Sequence, residues 1–584
     1  MAFGYAFVDL DNDQKHARRV LLEYYPLVGF LSGLVVLALF RIGHLLLWLS
    51  SQRSDYGRPR SPSFTKSRNG AWKLLQKTRQ NLDQARWWLK KPVVKEWGTR
   101  GEWIGGAVWM VWLLSLSFVQ TTPDYLHLTK RFGIIGASQL PMHYLLAMRS
   151  PWSPVQYLTQ LSHEELKGAH QVLGRIIFFL FVLHAAFYLN FFVISGFLAK
   201  RIKDKDVILG LVSIALFSVL STTALGFLRR RNYRIFYISH VAIAELIIPA
   251  LFLHVTHIRP YIYGVLVVNI AHLLLREKAL AKYHGSIKLL PGTNLVQVRI
   301  PLSAGDKALT WKPGQHVYLS LPSGRAHAKS VYDQFALRNL TNPFSIASIP
   351  AKDEELLLVA RTLDGNTKKL AALARSLAAS EESSSDVSIA IEGPYGASTR
   401  LPDFSSFDKI LLVAGGVGGT FVMPIYRALL SHHDDEYAGS PQVRLIWSVR
   451  KLAETQWAFP AWNGARDDEL ETETPSHNSI VEVFVTQPSG PALHVIGSSD
   501  DIEMAEDEQL LSIEEQMEKP PKGMSIKAGR PDVRAIVDET LSKDGRVAVL
   551  CCGPHGLTEE LGRCVETWVK RGSDVYWHDE TFGW

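Results

Sequence analysis

Two apolar stretches of the chain each carry two histidines at the same spacing. His170 and His184 are fourteen residues apart on one stretch, and so are His240 and His254 on the other. Since an α-helix turns about 100° per residue, fourteen residues bring a side chain back to within roughly 40° of its starting direction, about 21 Å further along the axis. Two such helices side by side predict two His/His pairs at two depths. That arrangement is typical of two bis-imidazole haems stacked across a membrane, whereas a single His in a span is more often packed or hydrogen-bonded.

Seven apolar segments have the length that a bilayer core of about 30 Å requires. The third is short and carries Pro141 and His143. The first follows a terminus without the short apolar core of a cleaved signal peptide, so we expect it to be an uncleaved anchor. The predicted spans are 24–49, 102–120, 133–148, 168–195, 207–227, 237–256 and 260–276.

Basic residues predict the orientation of these spans. Thirteen Lys and Arg residues fall in 51–101, a cluster of four arginines follows the fifth span, and further basic residues follow the last. The positive-inside rule assigns all three groups to the cytosol, although the basic loop 200–205 then lies outside. The fourth and sixth spans consequently run in the same direction, which predicts His170 level with His240 at the inner end and His184 level with His254 at the outer end.

Composition limits the remaining possibilities. The 584 residues exceed one domain, and the net charge of +7 comes from basic residues beside apolar spans, which indicates contact with membrane lipid and not with nucleic acid. The three cysteines form neither a disulfide framework nor a zinc-ligand spacing.

The chain after residue 283 is polar and changes pattern once. Residues 285–350 contain short alternating strands separated by turn signals, which predict an antiparallel barrel. From 407 the segments KILLVAG, VRLIWSV, IVEVFV and RVAVLCC alternate with helical stretches, which predicts a parallel α/β sheet. We expect the acidic or Ser-rich stretches 380–386, 466–478 and 499–519 to be solvated loops, with docking of a regulator as the alternative.

A glycine-rich turn follows the first of these parallel strands. In LLVAGGVGGTFVMP, Gly416 and Gly418 permit a pyrophosphate to approach the backbone at a helix N-terminus, although Phe421 stands where the third glycine of a GxGxxG motif would be. Arg450 ends the next strand, where an arginine can pair with a 2′-phosphate and favour NADPH over NADH. Cys552 and Gly553 end another strand at the edge where nucleotides bind. The alternatives are a purely structural turn for the glycines, an exposed side chain for Arg450 and a buried small residue for Cys552.

Three further motifs surround the predicted barrel. WKPGQHVYL contributes Gly314 and His316, and NPFSIAS contributes Ser345, whose hydroxyl could hydrogen-bond a flavin. EGPYG supplies glycines that admit phosphates. The chain ends in Trp584, which is able to stack over a flavin ring or to be frayed surface.

These motifs, in this order, resemble the fungal ferric-chelate reductases, which are relatives of the NADPH oxidases. The resemblance covers nearly all of 100–584. It implies an α-helical transmembrane bundle of about seven spans, an antiparallel β-barrel FAD domain and an α/β parallel-sheet NADP domain of ferredoxin-reductase type. The corresponding boundaries are 1–101 for the N-terminal segment with the first span, then 102–277, 283–400 and 407–584.

The resemblance also implies roles for individual residues. The four histidines are expected to bind two b-type haems. In the flavin motif, the family usually has His before Pro-Phe, where this chain has Asn342. Pro343, Phe344 and Ser345 are expected to contact FAD, and Gly416, Gly418, Arg450 and Cys552 are expected near NADPH. The further cofactor-binding candidates are Gly314, His316, Gly393, Gly396, Thr420, Gly553 and Trp584.

The function expected from this reading is an NADPH-dependent ferric-chelate reductase of the membrane, most readily the plasma membrane and alternatively an internal one. It would pass electrons through FAD and two haems to chelated Fe(III), and conceivably Cu(II), at the outer face. An iron permease or a multicopper oxidase is a conceivable partner. The alternatives are a superoxide-generating NADPH oxidase, which shares the relay and differs in its acceptor, and a non-catalytic membrane subunit.

Overall fold

The structure is a computed structural model, and the chain splits into two compact units whose main boundary lies between Ala279 and Leu280. Each unit is described separately. The described residues are 4–55, 77, 81–82, 84–94, 98–302, 309–320, 342–363, 365–379, 387–396, 401–431, 441–459, 479–486, 524–542 and 545–580. The three acidic or Ser-rich stretches singled out above lie outside the described residues.

The described part of the first unit consists of helices joined by turns, with two isolated β-bridges. Six of its helices are long and apolar enough to cross a membrane, and they correspond to six of the seven predicted spans. They are Asn12–Leu46, Arg100–Phe118, His163–Ile194, Lys205–Thr223, Ile235–His254 and Thr256–Ala279. Shorter helices connect them: Tyr125–Ser138, Leu140–Leu146, Pro154–Thr159, Leu198–Arg201 and Gly226–Arg231.

Local sequence explains where the principal helices begin. Ser162 and Glu165 form a reciprocal capping box at the start of the helix His163–Ile194, because each side chain binds the other residue's backbone N–H. Thr99 and Glu102 do the same before Arg100–Phe118. The side chain of Asn232 accepts a hydrogen bond from the N–H of Ile235 and so caps the helix that carries His240 and His254.

The predicted span 133–148 is wrong as a single continuous helix. The chain forms the helix Tyr125–Ser138, turns at Gln139 and forms the short helix Leu140–Leu146. Pro141 lies in the first turn of the second helix, where its missing N–H costs nothing, but it cannot continue the preceding helix. The first of these two helices is largely buried, which explains why its second half is apolar although it is not a separate span.

The second unit begins with a six-stranded antiparallel sheet in the order β4-β3-β6-β1-β2-β5. An antiparallel bridge between Ile346 and Leu358 joins the chain after β4 to β5, so the two ends of the sheet meet and the sheet closes as predicted. The helix Asn366–Ala379 covers one opening with Leu370, Ala371 and Ala374. The strands are β1 Leu280–Leu289, β2 Leu295–Pro301, β3 His316–Ser320, β4 Asn342–Ser345, β5 Glu355–Arg361 and β6 Val387–Tyr395.

A six-stranded parallel sheet follows, in the order β10-β9-β8-β7-β11-β12. Four of its strands are those predicted, and two were missed. Helices Gly419–Ser431, Val533–Leu541 and His555–Arg571 pack around it. The strands are β7 Lys409–Gly415, β8 Gln442–Val449, β9 Ser479–Val485, β10 Met524–Ala528, β11 Val547–Cys552 and β12 Val575–Glu580.

The barrel and the parallel sheet share a core within the second unit. Leu295, Leu357 and Val359 of the barrel belong to the same buried apolar cluster as Phe421 and Leu412 of the α/β layer. A two-pronged ion pair reinforces this contact: Arg427 donates to both carboxylate oxygens of Asp353 at 2.8 and 2.7 Å. Such bidentate pairs constrain relative orientation as well as distance.

Candidate cofactor-binding sites

The four histidines of the helical unit form two facing pairs. The ring centroids of His170 and His240 are 6.4 Å apart with planes at 65°, and those of His184 and His254 are also 6.4 Å apart, with planes at 86°. Each pair joins the helix His163–Ile194 to the helix Tyr233–His254. The pairing predicted from spacing and charge is therefore the pairing in the structure.

Main-chain carbonyls fix the orientation of three of the four rings. Nδ1 of His170 lies 3.1 Å from the carbonyl oxygen of His143, Nδ1 of His184 lies 2.8 Å from that of Thr129, and Nδ1 of His254 lies 2.6 Å from that of Asp206. A carbonyl accepts only, so each Nδ1 carries the proton and each Nε2 keeps its lone pair for another ligand.

His240 is the exception. Its Nδ1 is buried and has no hydrogen-bond partner among the described residues. The ring instead contacts Phe236, with centroids 5.3 Å apart. Packing, and not a carbonyl, therefore sets the direction of this imidazole.

Glycines on neighbouring helices make room for two of these rings. A Cβ on Gly133 would lie 2.6 Å from Nδ1 of His184, and a Cβ on Gly210 would lie 2.8 Å from Cε1 of His254. Real Cβ atoms do not approach other atoms so closely, so any larger residue would displace the ring. Both rings of the outer pair are thus held by a backbone surface on one side.

The spacing of the pairs fits a six-coordinate haem iron. A metal–imidazole bond is about 2 Å long and the bonded nitrogen lies about 1.2 Å from the ring centre, so two rings on opposite sides of one iron have centroids about 6.4 Å apart. Among the described residues, three or more His, Cys, Asp or Glu side chains nowhere converge as a metal-binding group. Each facing pair contributes two imidazoles, the number that a bis-imidazole haem takes from protein.

The residues expected at a flavin come together at one end of the barrel. Ser345 lies opposite His316 in the β3–β4 register, and Pro343 and Phe344 precede it on the same strand, opposite Tyr318 and Val317. The ring of His316 stacks on Tyr395 with centroids 6.1 Å apart. The hydroxyl of Tyr395 donates to the buried carboxylate of Glu392 at 2.7 Å.

Three glycines complete this end of the barrel, all with positive φ. Gly396 has φ +110°, and a Cβ at this position would lie 2.9 Å from Nδ1 of His316 and 3.5 Å from the carbonyl oxygen of Gly314. Gly393, at φ +147°, lies against Val317 in the same way. The structure thus places all seven described candidates together, while Trp584 lies outside the described residues.

The glycine-rich turn lies where the strand order of the parallel sheet reverses. β7 is flanked by β8 on one side and β11 on the other, so the carboxyl ends of β7 and β11 form a topological switch point. A Cβ on Gly418 would lie 2.1 Å from the carbonyl oxygen of Cys552, and one on Gly553 would lie 3.0 Å from the backbone N of Gly415. The backbones of the two turns approach each other directly, and this contact brings the two predicted motifs together.

Space remains on the other side of this turn. Gly416 has φ +54° and its Cβ position has no neighbour within 4 Å. Its carbonyl accepts a hydrogen bond from Nε1 of the fully buried Trp447 at 2.9 Å. The hydroxyl of Thr420 donates to the carbonyl of Val417, which closes the first turn of the helix. An open, glycine-lined helix N-terminus is a suitable anion site.

Two further candidates lie near this edge. Arg450 follows β8, its side chain is exposed, and its backbone N–H donates to the carboxylate of Glu454 at 3.3 Å. Burial, together with the nearby carboxylate of Glu580, raises the pKa of the Cys552 thiol well above its usual value. The thiol is therefore neutral at physiological pH and acts as a small apolar contact.

Several residues that shape these sites carried no clear signal in the sequence. In the sequence, His143 is only a histidine in the short third predicted span, yet in the structure its carbonyl and its ring both contact His170. Gly133 and Gly210 look like ordinary glycines of apolar helices. Phe421, which replaced the third motif glycine, stacks on His578 with centroids 5.6 Å apart. Among these residues, only His143 had a sequence signal, since a histidine within an apolar segment is unusual.

The fold and the sites together define a class of protein: a multi-pass helical membrane unit followed by a flavin-type barrel and a nucleotide-type parallel sheet. Three family models match the chain in the same order. They are described as Ferric reductase like transmembrane component, matched by residues 132–251, FAD-binding domain, matched by 281–399, and Ferric reductase NAD binding domain, matched by 407–566. Residues 132–251 are thus similar to a ferric reductase like transmembrane component, and the two later segments are similar to an FAD-binding domain and a ferric reductase NAD binding domain.

Parts of the chain are also similar to individual proteins. The chain is 26% identical over 443 residues to Ferric reductase transmembrane component 4 of Saccharomyces cerevisiae, a match that covers 73% of this chain and 58% of that protein. It is 26% identical over 450 residues to Probable metalloreductase AIM14 of Meyerozyma guilliermondii, covering 76% and 80%. Among solved structures, the Amycolatopsis cytochrome P450 reductase GcoB is 17% identical with a TM-score of 0.32, covering 52% of this chain and 70% of that one.

Proposed function

We propose that this protein is a transmembrane NADPH-dependent metalloreductase that passes electrons through FAD and two b-type haems to chelated Fe(III), and also to Cu(II), at the outer face of a membrane. The observation that carries the proposal is the presence of two facing histidine pairs, His170/His240 and His184/His254. Both have centroids 6.4 Å apart, both join the same two helices, and three of the four rings are held with Nε2 free. The naming of relatives as ferric reductases and metalloreductases supports the acceptor.

The proposal assigns a cofactor to each part of the chain. Residues 102–277 would hold the haems through His170, His184, His240 and His254, residues 283–400 would hold FAD, and residues 407–584 would hold NADPH; residues 1–101 would supply the first span. Flavin supplies the conversion of a two-electron hydride donor into single electrons, and six-coordinate haem supplies their transfer without an open iron position.

The residues of the chain contribute binding and orientation. The backbone of Gly416 and Gly418 would receive the nucleotide pyrophosphate at the helix N-terminus, and Arg450 would pair with the 2′-phosphate. The close approach of Gly418 to the carbonyl of Cys552 holds the two nucleotide-site turns together. In the barrel, Ser345 and Gly396, beside His316, would hold the flavin, and Trp584 would cover the flavin ring.

The charge distribution supports an orientation for this relay. With 51–101 and the basic clusters after the fifth and last spans in the cytosol, NADPH oxidation is cytosolic and the pair His184/His254 is the outer one. Electrons therefore leave the protein beside that pair. A plasma-membrane location, with an iron permease or multicopper oxidase taking up the product, is the arrangement in which such an outward reductase is useful.

The first prediction tests the relay with haem spectroscopy of the full-length protein purified in detergent. We expect NADPH to reduce a low-spin b-type spectrum and a ferric chelate to reoxidise it. The variant His184→Ala should lose one haem and at least 90% of chelate reduction, while NADPH-driven reduction of a dye by the flavin unit continues, because that unit lies upstream of the missing ligand.

The control is His44→Ala, which removes an exposed histidine from the first helix and should change neither the spectrum nor the rate. Wild-type protein without haem, or His184→Ala protein that reduces external iron normally, would contradict the proposal. Superoxide formation that persists in iron-free medium would identify oxygen as the acceptor instead.

A further inference from the structure

We infer that His143 is a positioning residue for the inner histidine pair, which it orients through two separate contacts with His170. The inference rests on the proposed function only in taking His170 as a haem ligand. His143 itself lies on the short helix Leu140–Leu146, which belongs to neither of the helices that carry the pairs.

The first contact is a flat stack. The rings of His143 and His170 have centroids 3.9 Å apart and planes within 9° of each other. Parallel rings at this separation are in full van der Waals contact, so His170 cannot rotate about its Cβ–Cγ bond without displacing His143. The stack fixes the plane of the imidazole.

The second contact fixes the direction of the same ring. The backbone carbonyl of His143 accepts the hydrogen bond from Nδ1 of His170 at 3.1 Å. One residue thus sets both the tautomer and the plane of the ligand ring, and a ligand so held needs little reorganisation when iron changes oxidation state.

The helix that carries His170 is shaped to receive this ring. Gly174 follows His170 by one helical turn, and a Cβ there would lie 2.9 Å from Cε1 of His143. Any side chain at this position would push His143 off the stack. The glycine and the histidine therefore form a matched pair across two helices.

The outer pair has no equivalent stack in the described structure. The ring nearest His184 is Tyr188, which approaches edge-on with centroids 5.0 Å apart and planes at 73°. The carbonyl that receives Nδ1 of His184 comes from Thr129, whose side chain is turned back to the carbonyl of Tyr125. Removal of the His143 ring should consequently affect one haem and leave the other unchanged.

The direction of the effect follows from solvent access. A ring lying flat on the ligand excludes water from one side of the inner haem, and a dry site disfavours the more highly charged ferric state. When the ring is removed, water approaches, the ferric state gains stability, and the midpoint potential of that haem falls. A phenyl ring at the same position would preserve the stack and the exclusion of water.

The test uses the full-length holoprotein in detergent and three variants: His143→Ala, His143→Phe and the control His44→Ala. The readouts are haem content, the two midpoint potentials and the low-spin electron paramagnetic resonance signals. We expect His143→Ala to lower one potential and shift one of two low-spin signals, His143→Phe to restore both values, and the control to match wild type.

Three results would overturn the inference. If wild type holds two low-spin haems but His143→Ala moves neither potential nor signal, the stack does not position the ligand. If Ala and Phe change the haem equally, or both lose it, a flat ring is not what matters. If wild type binds no haem at all, the proposed function fails first and the inference fails with it.

Discussion

At the scale of single residues, the sequence predicted which histidines face each other but not what holds their rings. The fourteen-residue spacing follows from helix periodicity, so the pairing of His170 with His240 and of His184 with His254 could be foreseen. The acceptors of Nδ1 could not, because they are carbonyls of other helices and any residue supplies a carbonyl. The stack of His143 on His170 likewise depends on how two helices approach each other, which a local pattern does not encode.

Gly418→Ala tests the contact between the two nucleotide-site turns. The new Cβ would lie 2.1 Å from the carbonyl oxygen of Cys552, and neither backbone can move without disturbing β7 or β11. We expect a loss of about 2–3 kcal/mol in stability, the usual cost of overpacking a buried site, and at least tenfold weaker NADPH binding. Thermal unfolding and nucleotide titration measure the two effects.

The control for this change is Gly556→Ala in the helix His555–Arg571, where the Cβ position has no neighbour within 4 Å. Alanine there should be neutral or slightly stabilising, since it favours the helix over glycine. Equal behaviour of the two variants would mean that the turn-to-turn contact is not a constraint.

At the scale of helices and strands, prediction succeeded for the central, mainly apolar strands and failed at the edges. β7 and β11 are buried at almost every residue and have nearly continuous apolar sequences, whereas β8 and β9 each contain a charged residue within an otherwise mainly apolar strand. β10 and β12 lie at the two edges of the sheet, and β12 reads VYWHDE because an edge strand tolerates charge. The helix break at Gln139 was not predicted, because the mainly apolar stretch 133–148 continues across it in the sequence.

Glu482 links three neighbouring strands and gives the parallel sheet a pH dependence. It accepts hydrogen bonds from Arg444 on β8 and Lys527 on β10. Burial alone would raise the pKa of its carboxyl, but these two cationic donors outweigh burial and hold the pKa below its ordinary value. A carboxyl with a lowered folded pKa stabilises the fold above its unfolded pKa of about 4.3, and this stability is lost as the pH falls.

Glu482→Gln should therefore lower the stability of the second unit at pH 7 by about 1–2 kcal/mol, and its difference from wild type should shrink as the pH approaches 3. Thermal unfolding across this pH range measures both effects. Glu539→Gln is the control, because Glu539 also binds Arg444 but its side chain is 70% exposed. A pH-independent difference for Glu482→Gln would show that charge is not the cause.

At the scale of the whole molecule, the order of parts could be predicted from the sequence, whereas the contacts between barrel and sheet could not. The change from apolar spans to alternating strands to βα units marks three architectures. The Asp353–Arg427 pair joins residues 74 positions apart in sequence, and nothing local to either one indicates the other. In the proposed function, this ion pair would orient the barrel and the parallel sheet so that nicotinamide meets flavin.

Asp353→Asn should slow hydride transfer from NADPH to flavin several-fold while leaving flavin content unchanged. The reason is that small misalignments of donor and acceptor are costly to the rate. Stopped-flow absorbance of the flavin measures this step, and Arg427→Gln should have the same effect, with little further loss in the double variant because the two residues act as one unit.

Glu355→Gln provides the comparison. Glu355 approaches Arg299 at 3.9 Å within the barrel, so this pair does not link the barrel to the sheet. Its loss should leave hydride transfer at the wild-type rate. Additive losses in the Asp353 and Arg427 variants would show that the two side chains do not work together.

The carbonyl acceptors of the histidine rings have a consequence for how such a protein can diverge. Because the oxygens at 129, 143 and 206 belong to the main chain, replacing the Thr129 or Asp206 side chain leaves the acceptor in place. A substitution survey would therefore score these two positions as tolerant. Divergent relatives would need to keep the backbone conformation there, but not the identity of the side chain.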